Sequence, residues 1–380
     1  MRLLPVILLL GALVALLPAC AATPPALGLP DGSRLIPLAA LAKFQVTRSG
    51  GAIVTLTRGA QSIRLIIDTS YYDEPGGNEV KQPNYPTIIH GGELYVADNV
   101  LETLGITVSV AKGALQLAAQ VKGAPQTAPW PLQVLPLDGS GTGCYPIVDF
   151  RNGCLLGGLW NGRWHPSDTI MRKMTGKETY RLYALNKALG TTAGGKPESR
   201  AVEGDYGDYI RTAVTKEALG IACNWNAMPR PVRMQNTQQA LYQQEVRRIV
   251  EAHGIKAGTV VIHQLLRVDM DGDRQEEVVI NASSSGEVDE TVSFRLMAVR
   301  KIIDGKVRTL VPFAGFRTEL YDDGGVSIPG RLEIAGVLDV DGDGRQELLI
   351  RTQTGCSETT FVYKYHTGTF WRVLTGGWSD

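Results

Sequence analysis

Asp339-Val340-Asp341-Gly342-Asp343-Gly344-Arg345-Gln346-Glu347 stands between two apolar runs, Leu332 to Leu338 and Leu348-Leu349-Ile350. Its carboxylates fall at positions 1, 3, 5 and 9. Seventy positions upstream, Asp269-Met270-Asp271-Gly272-Asp273-Arg274-Gln275-Glu276-Glu277 repeats that spacing between Gly258 to Val268 and Val278-Val279-Ile280. Flanks of this length, rich in β-branched residues and Leu, predict strands. An acidic turn between two strands therefore occurs twice. An EF-hand would need helical flanks and a bidentate acid at position 12. That position is Ile280 in the first loop and Ile350 in the second, which excludes it.

The charge pattern asks for a cation. Two carboxylates about 5 Å apart repel by about 1 kcal/mol in water and about 3 kcal/mol at an effective dielectric near 20. Four converging on one turn multiply that cost, and a divalent ion reverses it. Oxygen-only ligands on a flexible loop favour Ca²⁺ over Mg²⁺ or Zn²⁺. The expected ligands are Asp339, Asp341, Asp343 and Glu347 in one loop and Asp269, Asp271, Asp273 and Glu277 in the other. Gly342 and Gly344 permit the tight turn. Arg274 replaces the second glycine upstream and brings a positive charge, so weaker binding is expected there.

Working outward, Phe361-Val362-Tyr363-Lys364-Tyr365 and Phe370-Trp371-Arg372-Val373-Leu374 predict a closing hairpin about Thr367-Gly368. Phe294 to Val299 and Val307 to Val311 are its counterparts after the first loop. A strand, loop, strand, hairpin unit is thus expected twice. The acid at position 9 resembles the calcium loop of FG-GAP/VCBS-type β-propeller repeats, over residues about 258–380. The resemblance implies a structural calcium and no catalysis. Two repeats cannot close a propeller, which needs at least four blades, leaving an incomplete propeller or a sandwich.

Thr237 to His253 predicts the best helix in the chain. Asn236 or Thr237 can cap it, Tyr242, Val246, Ile249, Val250 and His253 share a face, and Gly254 ends it. Further upstream, Asn152-Gly153 and Asn161-Gly162 sit between apolar runs, a hairpin signal because both turn residues need positive φ. The first hairpin conflicts with a Cys144–Cys154 disulfide, because it sends Cys144 far along its strand. Residues 186–220 are Gly-rich and polar and give no clear pattern.

Residues 31–120 carry an internal duplication, each half reading strand, short helix, strand, turn, strand. Pro86-Thr87-Ile88-Ile89-His90-Gly91-Gly92-Glu93-Leu94-Tyr95-Val96 through Leu104-Gly105-Ile106 resembles the copper amine oxidase N-terminal domain-like family. That resemblance implies a small α+β module without copper or oxidase activity, with His90 a turn residue. The fold expected overall is α+β and strand-rich. It comprises a small N-terminal α+β module (31–120), a linker (121–143), a mixed, strand-rich middle region (144–235) and a helix followed by an all-β repeat region (236–380).

The N-terminus predicts export. Arg2 precedes an apolar run, Leu3 to Leu17, too short for a comfortable membrane span. Leu17-Pro18-Ala19-Cys20 resembles a bacterial lipoprotein box, implying lipidation of Cys20, a signal segment over 1–22 and a tether over 23–30. Ala19-Cys20-Ala21 also fits ordinary signal cleavage, and a retained anchor is a third reading. Beyond Cys20, the cysteines Cys144, Cys154, Cys223 and Cys356 allow two disulfides or none. Their spacing does not suit zinc.

Lys plus Arg and Asp plus Glu both number 38, so charge gives no case for a nucleic-acid partner. The expected function is a lipid-anchored envelope protein, non-catalytic, acting in binding or cell-wall scaffolding, with a wall polysaccharide or a protein as partner. A calcium-dependent carbohydrate binder using Trp160, Trp164, Tyr180 and Tyr183 is the first alternative. An exported hydrolase with acids drawn from Asp149, Glu203, Asp205 or Asp208 is the second, without any G-x-S-x-G, H-E-x-x-H or Cys–His arrangement behind it.

Overall fold

The computed structural model describes residues 24–30, 33–41, 45–49, 53–58, 61–66, 72–73, 80–81, 87–90, 93–111, 114–119, 130–202, 205–211, 217–284, 294–316, 328, 330–354 and 357–378. Among these, strands dominate and the fold is essentially all-β, which corrects the α+β expectation. Three α-helices are present: α1 (Asp98–Thr103), α2 (Ser167–Met171) and α3 (Ala240–Ala252). Among the described residues of the N-terminal region, helix amounts to α1 and a single 3-10 turn at Leu38–Leu41. Segments of one or two turns cannot form a layer, so the core there is made between strands.

The repeat units fold as antiparallel meanders. The first sheet runs Arg233–Met234, Val260–Val268, Glu277–Ser284, Phe294–Ile303, Lys306–Phe316. The second runs Arg331–Leu338, Glu347–Thr354, Ser357–His366, Thr369–Trp378. Each closing hairpin turns on two residues with positive φ, Asp304-Gly305 and Thr367-Gly368, as a tight reversal of a twisted ribbon requires.

These sheets stack face to face. Leu266, Val279, Met297 and Val299 of the first meet Ile334, Val337, Leu348 and Ile350 of the second. The other face of the second sheet presents Leu349, Val362, Trp371 and Leu374 to Ile147, Leu156 and Leu159 of an eight-stranded middle sheet. Gly376 lets the layers close up, since a Cβ there would lie 2.4 Å from Leu156 Cα. α3 covers the outer face of the first sheet through Tyr242, Val246, Ile249 and Val250, and Ile170 of α2 packs on the middle sheet. Strands buried on both faces read as continuous apolar runs, as Leu348-Leu349-Ile350 does.

The middle sheet includes Cys144–Asp149, Cys154–Trp160 and Arg163–His165, joined about the two Asn-Gly sites. Asn161-Gly162 forms a two-residue turn with φ of 50° and 77°. At the other site Asp149 pairs with Cys154, so that turn has four residues. Cys144 pairs with Trp160 at the far end, and Cys144, Cys154 and Cys223 are free thiols. The hairpin thus displaces the Cys144–Cys154 disulfide, while Cys356 lies outside the described residues. The stretch 186–220 supplies the strands Lys187–Ala193, Pro197–Val202, Asp205–Ile210 and Leu219–Ile221 to this sheet.

The N-terminal sheet has seven strands, and Ala26–Gly28 at its centre pairs in parallel with Trp130–Val134. Ala26–Gly28 falls in the expected tether and Trp130–Val134 in the expected linker. Sequence patterns miss this pairing because it joins two short segments about a hundred residues apart. After Val134, Leu135 and Leu137 are buried in the core shared with the middle and second repeat sheets. His90, expected in a turn, ends the strand Ile88–His90 with its ring 5.1 Å from Trp371.

Candidate metal centre

The two acidic loops have one backbone design. Position 1 accepts hydrogen bonds from the amides of positions 4 and 6: Gly342 N and Gly344 N donate to Asp339 at 2.7 and 3.1 Å, Gly272 N and Arg274 N to Asp269 at 2.7 and 3.1 Å. Position 9 accepts from the amide of position 2, Val340 N to Glu347 at 2.9 Å and Met270 N to Glu277 at 2.7 Å. Position 5 accepts from the amide of position 7. These bonds aim the carboxylates inward and require left-handed backbone at positions 4 and 6. Gly342 and Gly344 have φ of 75° and 86°, Gly272 and Arg274 have 81° and 71°. Arg274 adopts the glycine conformation at a cost of about 1–2 kcal/mol.

Each loop also holds a lysine. Lys301 Nζ lies 2.7 Å from Asp271 Oδ2 and 2.6 Å from Glu277 Oε1. Lys364 Nζ lies 2.9 Å from Asp343 Oδ2 and forms a short bond to Asp341 Oδ2. Both lysines are buried. Burial pulls each ammonium down, but the carboxylates beside it outweigh burial and hold it above the ordinary lysine value.

The loops differ in cover. In the first, Asp269 and Asp271 are half-buried and Asp273 is exposed. In the second, Asp339, Asp341 and Glu347 are buried, with one oxygen from each lying within 4.8 Å of the others. Two segments enclose it. Ser140 donates from N to Asp341 O at 3.1 Å and from Oγ to Gly342 O at 2.5 Å. Trp225 Nε1 donates to Asp339 O at 2.7 Å, and Asp339 N to Ala227 O at 2.7 Å. Only glycine fits at position 139, where a Cβ would lie 2.5 Å from that of Asp341. Burial pushes the Asp339 and Asp341 carboxyls up to about 6, with Asp343 adding repulsion, and pushes Glu347 well above its ordinary value, with Asp341 adding to it. Asp343 remains at the surface.

Arg230 ties the loops together. Its Nη2 donates to Met270 O at 2.8 Å and to Gly344 O at 2.7 Å, and its Nε to Asp269 O. Gln346 N donates to Met270 O at 2.7 Å. Each bond to the guanidinium is charge-assisted, and the one to Gly344 O joins the first repeat unit to the second.

The other candidate residues are not brought together. Asp149 is buried and ion-paired at 2.5 Å to Arg351, which also binds Glu333. Asp208 accepts from Ser199 on an exposed hairpin, Asp205 begins the second strand of the same hairpin opposite Val202, and Glu203 lies outside the described residues. Trp164 donates to Leu137 O, Tyr180 packs on Phe150, and Tyr183 accepts from Ala227 N. All three are buried, and half-buried Trp160 has Lys173 at 3.9 Å from its ring. They form separate core contacts and no platform. Burial raises the thiols of Cys144, Cys154 and Cys223 to about 11, 12 and 11, so they stay protonated at neutral pH. Cys20 and the signal segment lie outside the described residues. His253 packs, with Nδ1 2.8 Å from Ile249 O and its ring on Phe316.

Sequence reasoning missed the two lysines, Arg230 and Arg351. A signal for the lysines was present: each is a charge inside a long apolar strand, in Ala298-Val299-Arg300-Lys301-Ile302 and in Phe361-Val362-Tyr363-Lys364-Tyr365. Arg230 and Arg351 had none, because their partners are distant in sequence.

The fold and the site together define a stack of β-sheets whose two repeat units each carry an acidic loop with an internal lysine. No protein-family model, curated protein or solved structure matches this chain.

Proposed function

We propose that this chain is an exported, lipid-anchored envelope protein, non-catalytic, whose stacked sheets serve binding or cell-wall scaffolding and are fastened by structural Ca²⁺. The carrying observation is the second loop. Three buried carboxylates converge there, a fourth stands beside them, and a single ammonium neutralises only one charge. The donor set is all oxygen, which suits Ca²⁺. Asp339, Asp341, Asp343 and Glu347 would hold the ion, which would supply the positive charge that burial demands. In the first loop, Asp269, Asp271, Asp273 and Glu277 offer the same donors. Asp271 Oδ1 is buried without a hydrogen-bond partner, which also fits a cation.

The loop pattern supports kinship with FG-GAP/VCBS-type repeats, and the lipoprotein box supports anchoring through Cys20. A structural role suits the site because the loops sit where two sheets meet and are tied by Arg230. The buried tryptophan and tyrosines give the carbohydrate alternative no support, and the ion-paired Asp149 gives the hydrolase alternative none.

The test is thermal melting of the purified protein in EGTA and in millimolar Ca²⁺. The expected result is a higher melting temperature with Ca²⁺, lost in Asp341→Asn. An identical melting temperature in both buffers would remove the metal assignment.

A further inference from the structure

Lys301 and Lys364 occupy equivalent places. Val278 pairs with Arg300 and Leu348 with Tyr363, so the next position outward sets each lysine across the ladder from its loop's ninth residue, Glu277 or Glu347. A buried ammonium in an apolar strand costs free energy unless it is paired, so its recurrence at one register points to a role in the loop. The two lysines divide the acids differently. Lys301 takes positions 3 and 9, Asp271 and Glu277. Lys364 takes positions 3 and 5, Asp341 and Asp343, leaving Asp339 and Glu347 to main-chain donors. The oxygens that gather most closely follow that division: Asp269, Asp271 and Asp273 in the first loop, Asp339, Asp341 and Glu347 in the second.

We propose that each lysine is a tethered cation that keeps its loop folded without metal and sets the loop's affinity by competing for the same oxygens. This rests on the metal assignment above. In the second loop an ion can be taken up beside Asp339 and Glu347 and completes its shell as Lys364 leaves Asp341 and Asp343. In the first loop the ninth acid is already held by Lys301, so the ion finds only the half-open side. One chain thus carries two settings of one device, an exchanging loop and a lysine-closed loop. The lysine also moderates affinity, because a divalent ion must replace a charge-assisted pair rather than enter bare carboxylates.

The experiment is calorimetric titration of Ca²⁺ into the EGTA-stripped full-length protein, its Lys364→Met and Lys301→Met variants, and Lys364→Gln and Lys301→Gln in case the apolar replacements do not fold without metal. Removal of Lys364 is expected to tighten binding about ten-fold or more. Removal of Lys301 is expected to add a second binding event. Melting in EGTA supplies a separate readout, in which the Lys364 variants fall below the wild type and Ca²⁺ reverses the order. Equal or weaker affinity after loss of Lys364 overturns the lysine proposal while leaving the metal assignment intact. Binding by the Lys364 variants alone supports the lysine proposal and removes the assignment for the wild type. Absence of binding in every protein up to about 10 mM Ca²⁺, above the range of weak extracellular sites, overturns both.

Discussion

The first and second acidic loops share nine positions, one set of amide-to-carboxylate bonds and a lysine at one register, yet their electrostatics differ. The first lies half open to solvent, with Asp269 and Asp271 half-buried, Asp273 exposed and only Glu277 buried. The second is closed by Gly139-Ser140 and by Trp225 to Ala227, and its acids are pushed toward the neutral form. The same ligands on a matching backbone therefore become different sites through what packs over them and which acids each lysine holds. Ligand spacing proposes a site, and burial decides how strongly the site needs its ion.

The sharpest way to break this comparison is to remove the lysines in metal-free solution. Lys364→Met leaves three buried carboxylates without a counter-ion and should cost about 3–5 kcal/mol, measured by urea unfolding. Lys301→Met, in the more open loop, should cost clearly less. Equal losses would mean that cover does not matter.

Arg230→Met should come next, at about 2–3 kcal/mol, because three carbonyls of two loops lose a charge-assisted donor. Hydrogen exchange should then show both loops opening, and opening of one alone would contradict their coupling.

Asp341→Asn should abolish most of the Ca²⁺-induced rise in melting temperature, which is expected at about 5 °C for an ion present well above its dissociation constant. Asp271→Asn should leave most of that rise in place.

The pH dependence separates the loops further. Asp339 and Asp341 have folded values near 6, above the ordinary aspartate value of 3.8, and Glu347 is raised as well. The folded state thus binds more protons than the unfolded state between about pH 4 and 6, and stability falls as pH rises through that window. Metal-free protein should melt higher at pH 5 than at pH 7.5, and Ca²⁺ should flatten the difference. Asp339→Asn should flatten it too. An unchanged slope in that variant would place the titration elsewhere.

The smallest effect belongs to Arg274→Gly. Relief of the left-handed backbone should offset the added freedom of the unfolded chain and leave a gain of under about 1 kcal/mol. A loss would mean that the Arg274 side chain supports the first loop.

The repeat unit was legible in the sequence because its signals are local. Acid spacing, flanking apolar runs and Thr367-Gly368 each report on a few adjacent residues. α3 was legible for the same reason, although it starts at Ala240 and its N-cap residue, Gln239, makes no side-chain cap. Distant pairings were hidden. Trp130–Val134 beside Ala26–Gly28 depends on which distant strands pair, and Arg351 on Asp149 on which sheets meet, and no periodicity encodes either. The α+β expectation failed because Val100, Leu101 and the C-cap Leu104 are buried together, but that helix has only six residues and packs on one sheet as a small plug.

Ser140 has a mechanical consequence. The chain leaves the N-terminal sheet through Leu135 and Leu137, and within a few residues Ser140 is pinned to Asp341 and Gly342. A pull applied through the N-terminal sheet would load those hydrogen bonds before it reached the repeat sheets. The second loop is therefore a shear pin on the load path between the N-terminal sheet and the repeat sheets.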